Sequence, residues 1–189
     1  MSEVLKAIRE RRSIRVFGEG PVAPEELDAI LEAASYAPSS LNSQPCHVTA
    51  LVGLVRISEL NDALKRASAK PGFDRYKDYV GQNGYSINFQ KAPLFLIVGV
   101  DRLKSFCPVE DGSMVMANIL LAAHALGLGA VWVNQLGAAA DESNFRKVLT
   151  SFGFPSTHAV IGSAAIGRRV GPNPPAPPRV TGQSNIVRG

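Results

Sequence analysis

Apolar residues recur along the chain at two spacings, one typical of helices and one of strands. Polar turns rich in proline and glycine separate these runs. Helices are predicted over 3–11, 24–36, 54–67, 110–126 and 139–149. Strands are predicted over 47–53, 94–100, 130–133 and 159–166. The pattern indicates a single domain, 1–189, that mixes helices and strands.

Two stretches lack either periodicity. Residues 70–91 are rich in Gly, Asp, Tyr and Asn, and we predict a mobile insertion near an opening. Its aromatic residues either form a lid over a ligand or pack as an ordinary subdomain; they are Phe73, Tyr76, Tyr79 and Tyr85. Residues 171–182 carry five prolines, so we expect an extended tail, or an arm across a neighbour.

Composition narrows the class of protein. Hydrophobic residues make up 46% of the 189 residues and charged residues 19%, as in ordinary globular domains. Only two cysteines occur, without paired spacing, which favours neither a disulfide framework nor a thiolate metal site and fits a reducing cytoplasm. The N-terminus lacks the apolar stretch of a secretory signal, and polar residues and glycines interrupt 114–133, so no membrane segment is expected.

Several familiar kinds of site are disfavoured. The net charge is +4 and the pI about 9.3, but the cations are scattered, so binding of nucleic acid would rest on the pI alone. The chain has no phosphate-binding P-loop, no Rossmann glycine motif and no G-x-S-x-G turn. His47, His124 and His158 lie far apart in sequence, so no metal is predicted.

Cys46 and His47 are adjacent in the strand predicted next to them. Adjacent residues of a strand point to opposite faces, so these two side chains should not form a nucleophile–base pair. We expect Cys46 to be a small core residue.

A basic cluster follows the first predicted helix, with the sequence Arg11-Arg12-Ser13-Ile14-Arg15. Guanidinium groups match phosphate oxygens in pairs, and the serine hydroxyl adds a neutral donor. The cluster therefore suits a phosphorylated ligand. On these five residues alone, a solvated basic helix end is an equal alternative.

A second constellation is the polar loop bracketed by Pro38 and Pro45. Its sequence is P-S-S-L-N-S-Q-P, whose hydroxyls and amides can read the edge of a heteroaromatic ring without adding charge. On its own, this composition is also that of a plain surface turn.

Taken together and in this order, these features resemble the nitroreductase family of flavoenzymes. The shared features are the R-R-S-x-R cluster, the P-S-S-x-N-S-Q-P loop, the long helix 114–126 leading into Gly129-Ala130-Val131-Trp132, and a late strand into a proline-rich arm. The resemblance implies an α+β fold: a mostly antiparallel sheet of about four strands flanked by helices, with a C-terminal arm, 168–189, reaching a partner subunit. It also implies a homodimer that holds FMN at the subunit interface.

The resemblance assigns cofactor-binding roles to residues in four places. Arg11, Arg12 and Ser13 would hold the phosphate and ribityl end of FMN, and Arg15 would lie near the pyrimidine edge. From the partner subunit's loop would come Pro38, Ser39, Ser40 and Asn42, with Gln44 in the same motif. Backbone groups of Val133, Asn134 and Gln135 would face flavin N5. Arg179 of the arm would reach the phosphate, with Arg168 and Arg169 as alternatives.

Two positions depart from the family pattern. Gln135 stands where many members carry glycine, so the space over the flavin ring is expected to differ. Cys46 stands where many have tryptophan after the Gln-Pro pair.

The resemblance also implies an activity. NADH or NADPH would pass a hydride to flavin N5 and leave, and a flat, electron-poor acceptor such as a nitroaromatic or a quinone would then take its place. The flavin would carry the chemistry, so no catalytic side chain and no metal is expected. Alternatives are flavin destruction, dehalogenation or oxidation by a recruited family member, and a flavin- or anion-binding module without turnover.

Overall fold

A four-stranded antiparallel sheet forms the centre of the computed structural model, which describes residues 2–68 and 91–189. Its strands, in chain order, are β1 (Cys46–Val52), β2 (Leu94–Asp101), β3 (Leu128–Val133) and β4 (His158–Arg168). They are arranged β1-β2-β4-β3, and every neighbouring pair is antiparallel. The predicted α+β class and the antiparallel sheet are confirmed.

Helices cover both faces of this sheet. They are α1 (Glu3–Glu10), α2 (Pro24–Ser35), α3 (Leu54–Ser68), α4 (Pro108–Ala125), α5 (Gln135–Ala139) and α6 (Ser143–Ser151). Helix α2 begins at a proline. The Glu26 carboxylate accepts a hydrogen bond from the Ala23 N–H at 2.7 Å, which satisfies a backbone donor at the start of the helix. Helix α4 ends before Gly127, whose φ of 76° ordinary residues rarely adopt.

The two faces of the sheet bury separate apolar cores. Helices α3, α5 and α6 pack on one face through residues such as Leu60, Leu136 and Phe145. Helices α2 and α4 pack on the other, for example through Ile30 and Met116. Strand β2 therefore has apolar surroundings on both sides, which explains why 94–100 is continuously apolar.

The predicted helix over 139–149 is wrong in its first part. The chain instead forms the short α5, turns at Ala140 to Glu142, and starts again with α6. The turn is stabilised because the Glu142 carboxylate accepts a hydrogen bond from the Phe145 N–H at 2.9 Å, capping α6. Strands β3 and β4 are longer than predicted, because pairing with each other and with β2 extends their ends.

The chain after β4 has no helix or regular strand. Most of the predicted C-terminal arm, 168–189, follows β4, and residues 170–189 are exposed except for Asn173, which is partly buried. The Asn173 side chain donates to the Glu10 carbonyl at 2.9 Å and accepts from Arg169 at 3.1 Å, which ties the start of the arm to the end of α1. The predicted insertion and aromatic lid, 70–91, lie almost entirely outside the described residues.

Candidate flavin site at two edges of the sheet

The basic cluster runs along the outer edge of β3. Ser13 pairs with Ala130 in a parallel bridge, and the Ile14 N–H donates to the Ala130 carbonyl at 2.9 Å. The close approach depends on Gly129, because a Cβ atom there would lie 2.7 Å from Ile14 Cγ2. A glycine in the strand therefore lets the chain carry Arg11 and Arg12 to this edge.

Arg12 has a buried donor atom that nothing in the described chain satisfies. One of its terminal nitrogens donates to the carbonyls of Arg9 and Arg11, at 2.8 and 2.7 Å, which fixes the guanidinium plane. Its Nε is buried and has no hydrogen-bond partner among residues 2–68 and 91–189. A buried unpaired donor on a cation is costly, and an incoming anion would relieve it.

Further cations surround this point. Burial lowers the pKa of Arg11, and the charges of Arg12 and Arg179 lower it further. Arg179 of the arm therefore lies close enough to Arg11 for its charge to act on it. His124, at the end of α4, also belongs to this basic cluster. Burial lowers its pKa first; the charges that act on it are those of Arg169, Glu10, Arg11 and Arg12, of which only Glu10 raises it.

The alternatives Arg168 and Arg169 point to different partners. Arg168 donates to the Glu26 carboxylate at 2.6 Å and to the Pro21 carbonyl at 3.0 Å, so it forms a structural ion pair away from the basic cluster. That ion pair is the main cause that lowers the pKa of Glu26. Arg169 remains at the basic cluster, where its charge acts on His124.

Val133, Asn134 and Gln135 lie at the far end of the same strand. From Ala130 to Asn134, β3 advances about 13 Å, at about 3.3 Å per residue. The buried Ser163 hydroxyl donates to the Val133 carbonyl at 2.7 Å and fixes this end of the strand. Asn134 is exposed, and Gln135 begins α5. The basic cluster and this end therefore border one surface of one chain.

The polar loop 38–45 occupies the opposite edge of the sheet, before β1. Ser40–Asn42 forms a single 3₁₀ turn, and three residues have left-handed backbone: Leu41 (φ 53°), Asn42 (φ 53°) and Gln44 (φ 46°). Inside this loop, the Ser40 and Ser43 hydroxyl oxygens are buried and have no partner in the described parts of the chain. A cleft of about 380 Å³ lies between the loop, α2 and the start of β1.

Asp111, in the first turn of α4, holds this loop and was missed from the sequence. One carboxylate oxygen accepts from the Ser40 N–H at 2.8 Å, and the other accepts from the Ser105 hydroxyl at 2.6 Å. An acidic residue in the first turn is ordinary for any helix, so the sequence carries no signal of this contact.

Cys46 is half-buried: it packs at the margin of the core formed with α2 and α4, as expected in part, and its other side lines the cleft. Burial, and then the charge of Asp111, raise the pKa of its thiol to about 11. His47 points to the other face of β1 and lies edge-on to His158, with ring centroids 6.1 Å apart.

One chain does not bring the two halves of the site together. Strands β1 and β3 are separated by three strand spacings, about 14 Å at about 4.8 Å each. Along α4, about 20 Å separates Asp111 at the loop from His124 at the basic cluster.

Comparison with known proteins decides the family. The model of the nitroreductase family matches residues 8–168. The chain belongs to the nitroreductase family. A crystal structure of a Bacteroides fragilis nitroreductase with bound FMN is 34% identical, with a TM-score of 0.89 over 100% of both chains. A second, from Desulfitobacterium hafniense, also with bound FMN, is 28% identical with a TM-score of 0.80, again over 100% of both chains.

A curated relative from Bacillus subtilis is named FMN reductase [NAD(P)H]. It is 28% identical over 173 residues, which cover 87% of this chain and 67% of that protein. Among residues 2–68 and 91–189, no helix is long and apolar enough to cross a membrane. The same residues contain no group of three or more His, Cys, Asp or Glu placed to hold a metal ion.

Proposed function

We propose that this member of the nitroreductase family is an FMN-dependent NAD(P)H oxidoreductase that reduces flat, electron-poor acceptors, such as nitroaromatics or quinones. The observation that carries the proposal is the basic cluster at the edge of β3, where the buried Nε of Arg12 has no hydrogen-bond partner among the residues that the structure describes. Arg11, Arg12 and Arg179 supply charge for a phosphate dianion, and Ser13 supplies a hydroxyl.

The remaining residues at this edge fit the ring of the same ligand. Arg15 follows Ser13 by two positions, and Ser13 is bridged to Ala130, so continued extended backbone would place both side chains on one face of the segment. A cation at the pyrimidine edge stabilises the negative charge of the reduced ring. Val133, Asn134 and Gln135 present backbone groups farther along β3, and Gln135 narrows the space that glycine would leave open.

When bound, FMN supplies the redox chemistry, taking a hydride from NADH or NADPH and passing it to the acceptor in alternate half-reactions. The protein binds the phosphate, orients the ring and excludes water. No side chain need act as nucleophile.

We further propose a homodimer in which the loop 38–45 of one chain completes the site of the other. The two halves lie at opposite ends of α4, so a two-fold axis across the middle of this helix places each loop beside the partner's basic cluster. The middle of α4 offers the exposed residues Met114 and Ala117. The loop, the segment before α4 and the arm carry further exposed apolar residues: Leu41 in the loop, Phe106 before α4, and Val180, Ile186 and Val187 in the arm.

In this arrangement residues 1–189 form one domain. Of the predicted arm, 168–189, Arg168 and Asn173 are bonded within their own chain, and the exposed residues 174–189 lie against the partner. The two free cysteines, Cys46 and Cys107, fit the reducing cytoplasm as its location.

The dimer is tested by Ala117→Arg, which places a charge at the centre of the proposed interface. Sedimentation should show half the wild-type mass together with loss of flavin. Thr150→Arg, on the exposed side of α6, is the matched control and should remain dimeric. A wild-type chain that sediments as a monomer with flavin bound would contradict the proposed interface.

The function is tested by flavin titration and by anaerobic reduction with NADH or NADPH. Arg12→Ala should weaken FMN binding about tenfold to a hundredfold and leave riboflavin binding unchanged, because only the phosphate contact is lost. Arg168→Ala removes the same charge outside the basic cluster and should leave both affinities near wild type. Flavin that binds but does not bleach with either nicotinamide would favour a binding module, and absence of flavin binding would overturn the site.

A further inference from the structure

Asp111 is a buried carboxylate that pairs with no cation in the described parts of the chain. Its side chain is 4% exposed, and within 2–68 and 91–189 no Lys, Arg or His lies within ion-pair distance of it. Two hydrogen bonds support it, from the Ser40 N–H at 2.8 Å and from the Ser105 hydroxyl at 2.6 Å. A buried charge with only two hydrogen bonds contributes little to the free energy of folding, because its desolvation is costly, and this points to a role in positioning the loop segment that it binds.

The element that Asp111 holds is under conformational strain. Leu41, Asn42 and Gln44 have left-handed backbone although none is glycine. Such conformations persist only where surrounding contacts enforce them, and they are concentrated at functional sites. The loop therefore needs an anchor outside itself.

The Ser40–Asp111 contact is that anchor. The other hydrogen bonds of residues 39–44 stay inside the loop: the Asn42 N–H donates to the Ser39 carbonyl, the Ser43 N–H to the Ser40 carbonyl, and the Gln44 N–H to the Ser39 hydroxyl, each at 3.0 Å. Among the described residues, only the bond from the Ser40 N–H joins residues 39–44 to the body of the protein, across 71 positions of sequence; the end of the loop is held separately, because the Asp101 N–H donates to the Pro45 carbonyl at 2.9 Å. The influence of the carboxylate reaches the adjoining cleft, where its charge helps raise the pKa of Cys46.

We propose that Asp111 is a positioning residue, which fixes the loop 38–45 in its left-handed geometry through the Ser40 N–H and so presents the loop's polar groups to the flavin of the partner subunit. The part of this proposal that concerns the flavin rests on the proposed function, whereas the part that concerns the loop geometry does not. Asp111 touches the loop backbone and acts on the cofactor through it. Ser105 orients the carboxylate and does not touch the loop.

The loop geometry is tested without any flavin. Asp111→Ala removes the acceptor, and amide exchange at Asn42 and Ser43 should become at least about tenfold faster. Asp111→Asn keeps an acceptor oxygen and should restore slow exchange. Ser105→Ala is the matched control, because it removes the other hydrogen bond of the same carboxylate and leaves the Ser40 bond in place.

A second variant attacks the contact from the loop side and keeps the buried carboxylate. Ser40→Pro removes the N–H donor together with the Ser40 hydroxyl, and Ser40→Ala, which removes the hydroxyl alone, is the matched control, so the difference between these two variants measures the lost contact. The extended Ser39 (φ −135°, ψ 157°) accepts a following proline, and position 40 begins the 3₁₀ turn. This variant carries the test if Asp111→Ala does not fold.

The flavin readout uses FMN, riboflavin and the circular dichroism of the bound flavin. Asp111→Ala and Ser40→Pro should each weaken the binding of both FMN and riboflavin by about tenfold, because in this proposal the loop meets the ring and not the phosphate. Each should also change the circular dichroism of the bound flavin. Asp111→Asn and Ser105→Ala should stay within about threefold of wild type. Unchanged exchange and unchanged flavin affinity in Ser40→Pro would overturn the proposal. A wild-type protein that binds no flavin would overturn the proposed function, and the exchange experiment would still decide the role of Asp111.

Discussion

Gly129 offers a sharp test of how the basic cluster is held. A Cβ atom at this position would lie 2.7 Å from Ile14 Cγ2 and 3.0 Å from Ile14 Cβ, where carbon atoms normally stay at least about 3.5 Å apart. The segment cannot move away freely, because the Ile14 N–H is bonded to the Ala130 carbonyl at 2.9 Å. Gly129→Ala should therefore lower the free energy of unfolding by about 1–3 kcal/mol, as overpacking does elsewhere.

The same clash should reach the ligand. Ile14 lies between Ser13 and Arg15, two positions after Arg12, so we expect its displacement to shift the guanidinium groups of the cluster. Each 1.4 kcal/mol lost from the free energy of binding weakens FMN binding about tenfold. Urea denaturation gives the stability, and fluorescence titration gives the affinity. Gly137→Ala is the matched control, because its Cβ would lie 3.7 Å from the nearest atom, the Val160 carbonyl oxygen, and alanine favours the helix there.

A double-mutant cycle isolates the contact. Ile14→Ala removes the nearest atom, Cγ2, and leaves Cβ at 3.0 Å, so the cost of Gly129→Ala should shrink in that background by about 0.5–3 kcal/mol without vanishing. Strictly additive losses would show that the basic cluster is not held by the packing of Ile14 on Gly129.

Three further outcomes are expected. Alkylation of Cys46, measured by mass spectrometry in a Cys107→Ser background, should keep accelerating toward pH 11, whereas a thiol of ordinary pKa levels off near about pH 8.5; a plateau there would contradict the raised pKa. Glu26→Gln should lose up to about 1 kcal/mol of stability at neutral pH. Because the Arg168 contact lowers the pKa of Glu26, the gap between variant and wild type should close as pH falls through that lowered value, and a constant gap would exclude the ion pair as its source. Finally, because the pKa of His124 is lowered in the folded state, the unfolded chain takes up its proton first as pH falls. The free energy of unfolding without ligand should therefore decrease below about pH 6.5, and this decrease should be smaller in His124→Gln. Identical pH profiles of the free energy of unfolding in wild type and variant would refute this expectation.

The sequence predicted best those elements whose ends are marked by residues within or next to them. The apolar run of β2 and the glycine after α4 fix those elements locally. The start of α4 at Pro108, two residues before the predicted one, also had a local signal, since proline is favoured at the first helical position. The helix over 139–149 failed because its alanines suggested continuity, although Glu142 is a capping residue three positions before Phe145.

Site residues divide along the same line. The basic cluster and the loop 38–45 were found because each is contiguous in sequence. The sequence could not decide between Arg168 and Arg169. That choice depends on the face of the strand end that each side chain takes, and on the contact of Arg168 with Glu26, which lies 142 positions away. Asp111 was invisible for the same reason, because its partner is the backbone N–H of Ser40.

The length of α4 sets a limit on how this site can vary. Its 18 residues act as a ruler between the two half-sites, one at each end. Inserting a single residue would lengthen it by about 1.5 Å and turn one end by about 100° relative to the other. If the proposed half-sites lie at its two ends, we expect relatives that remodel the pocket to differ in loops and side chains at the ends of this helix, and insertions or deletions within it to weaken flavin binding.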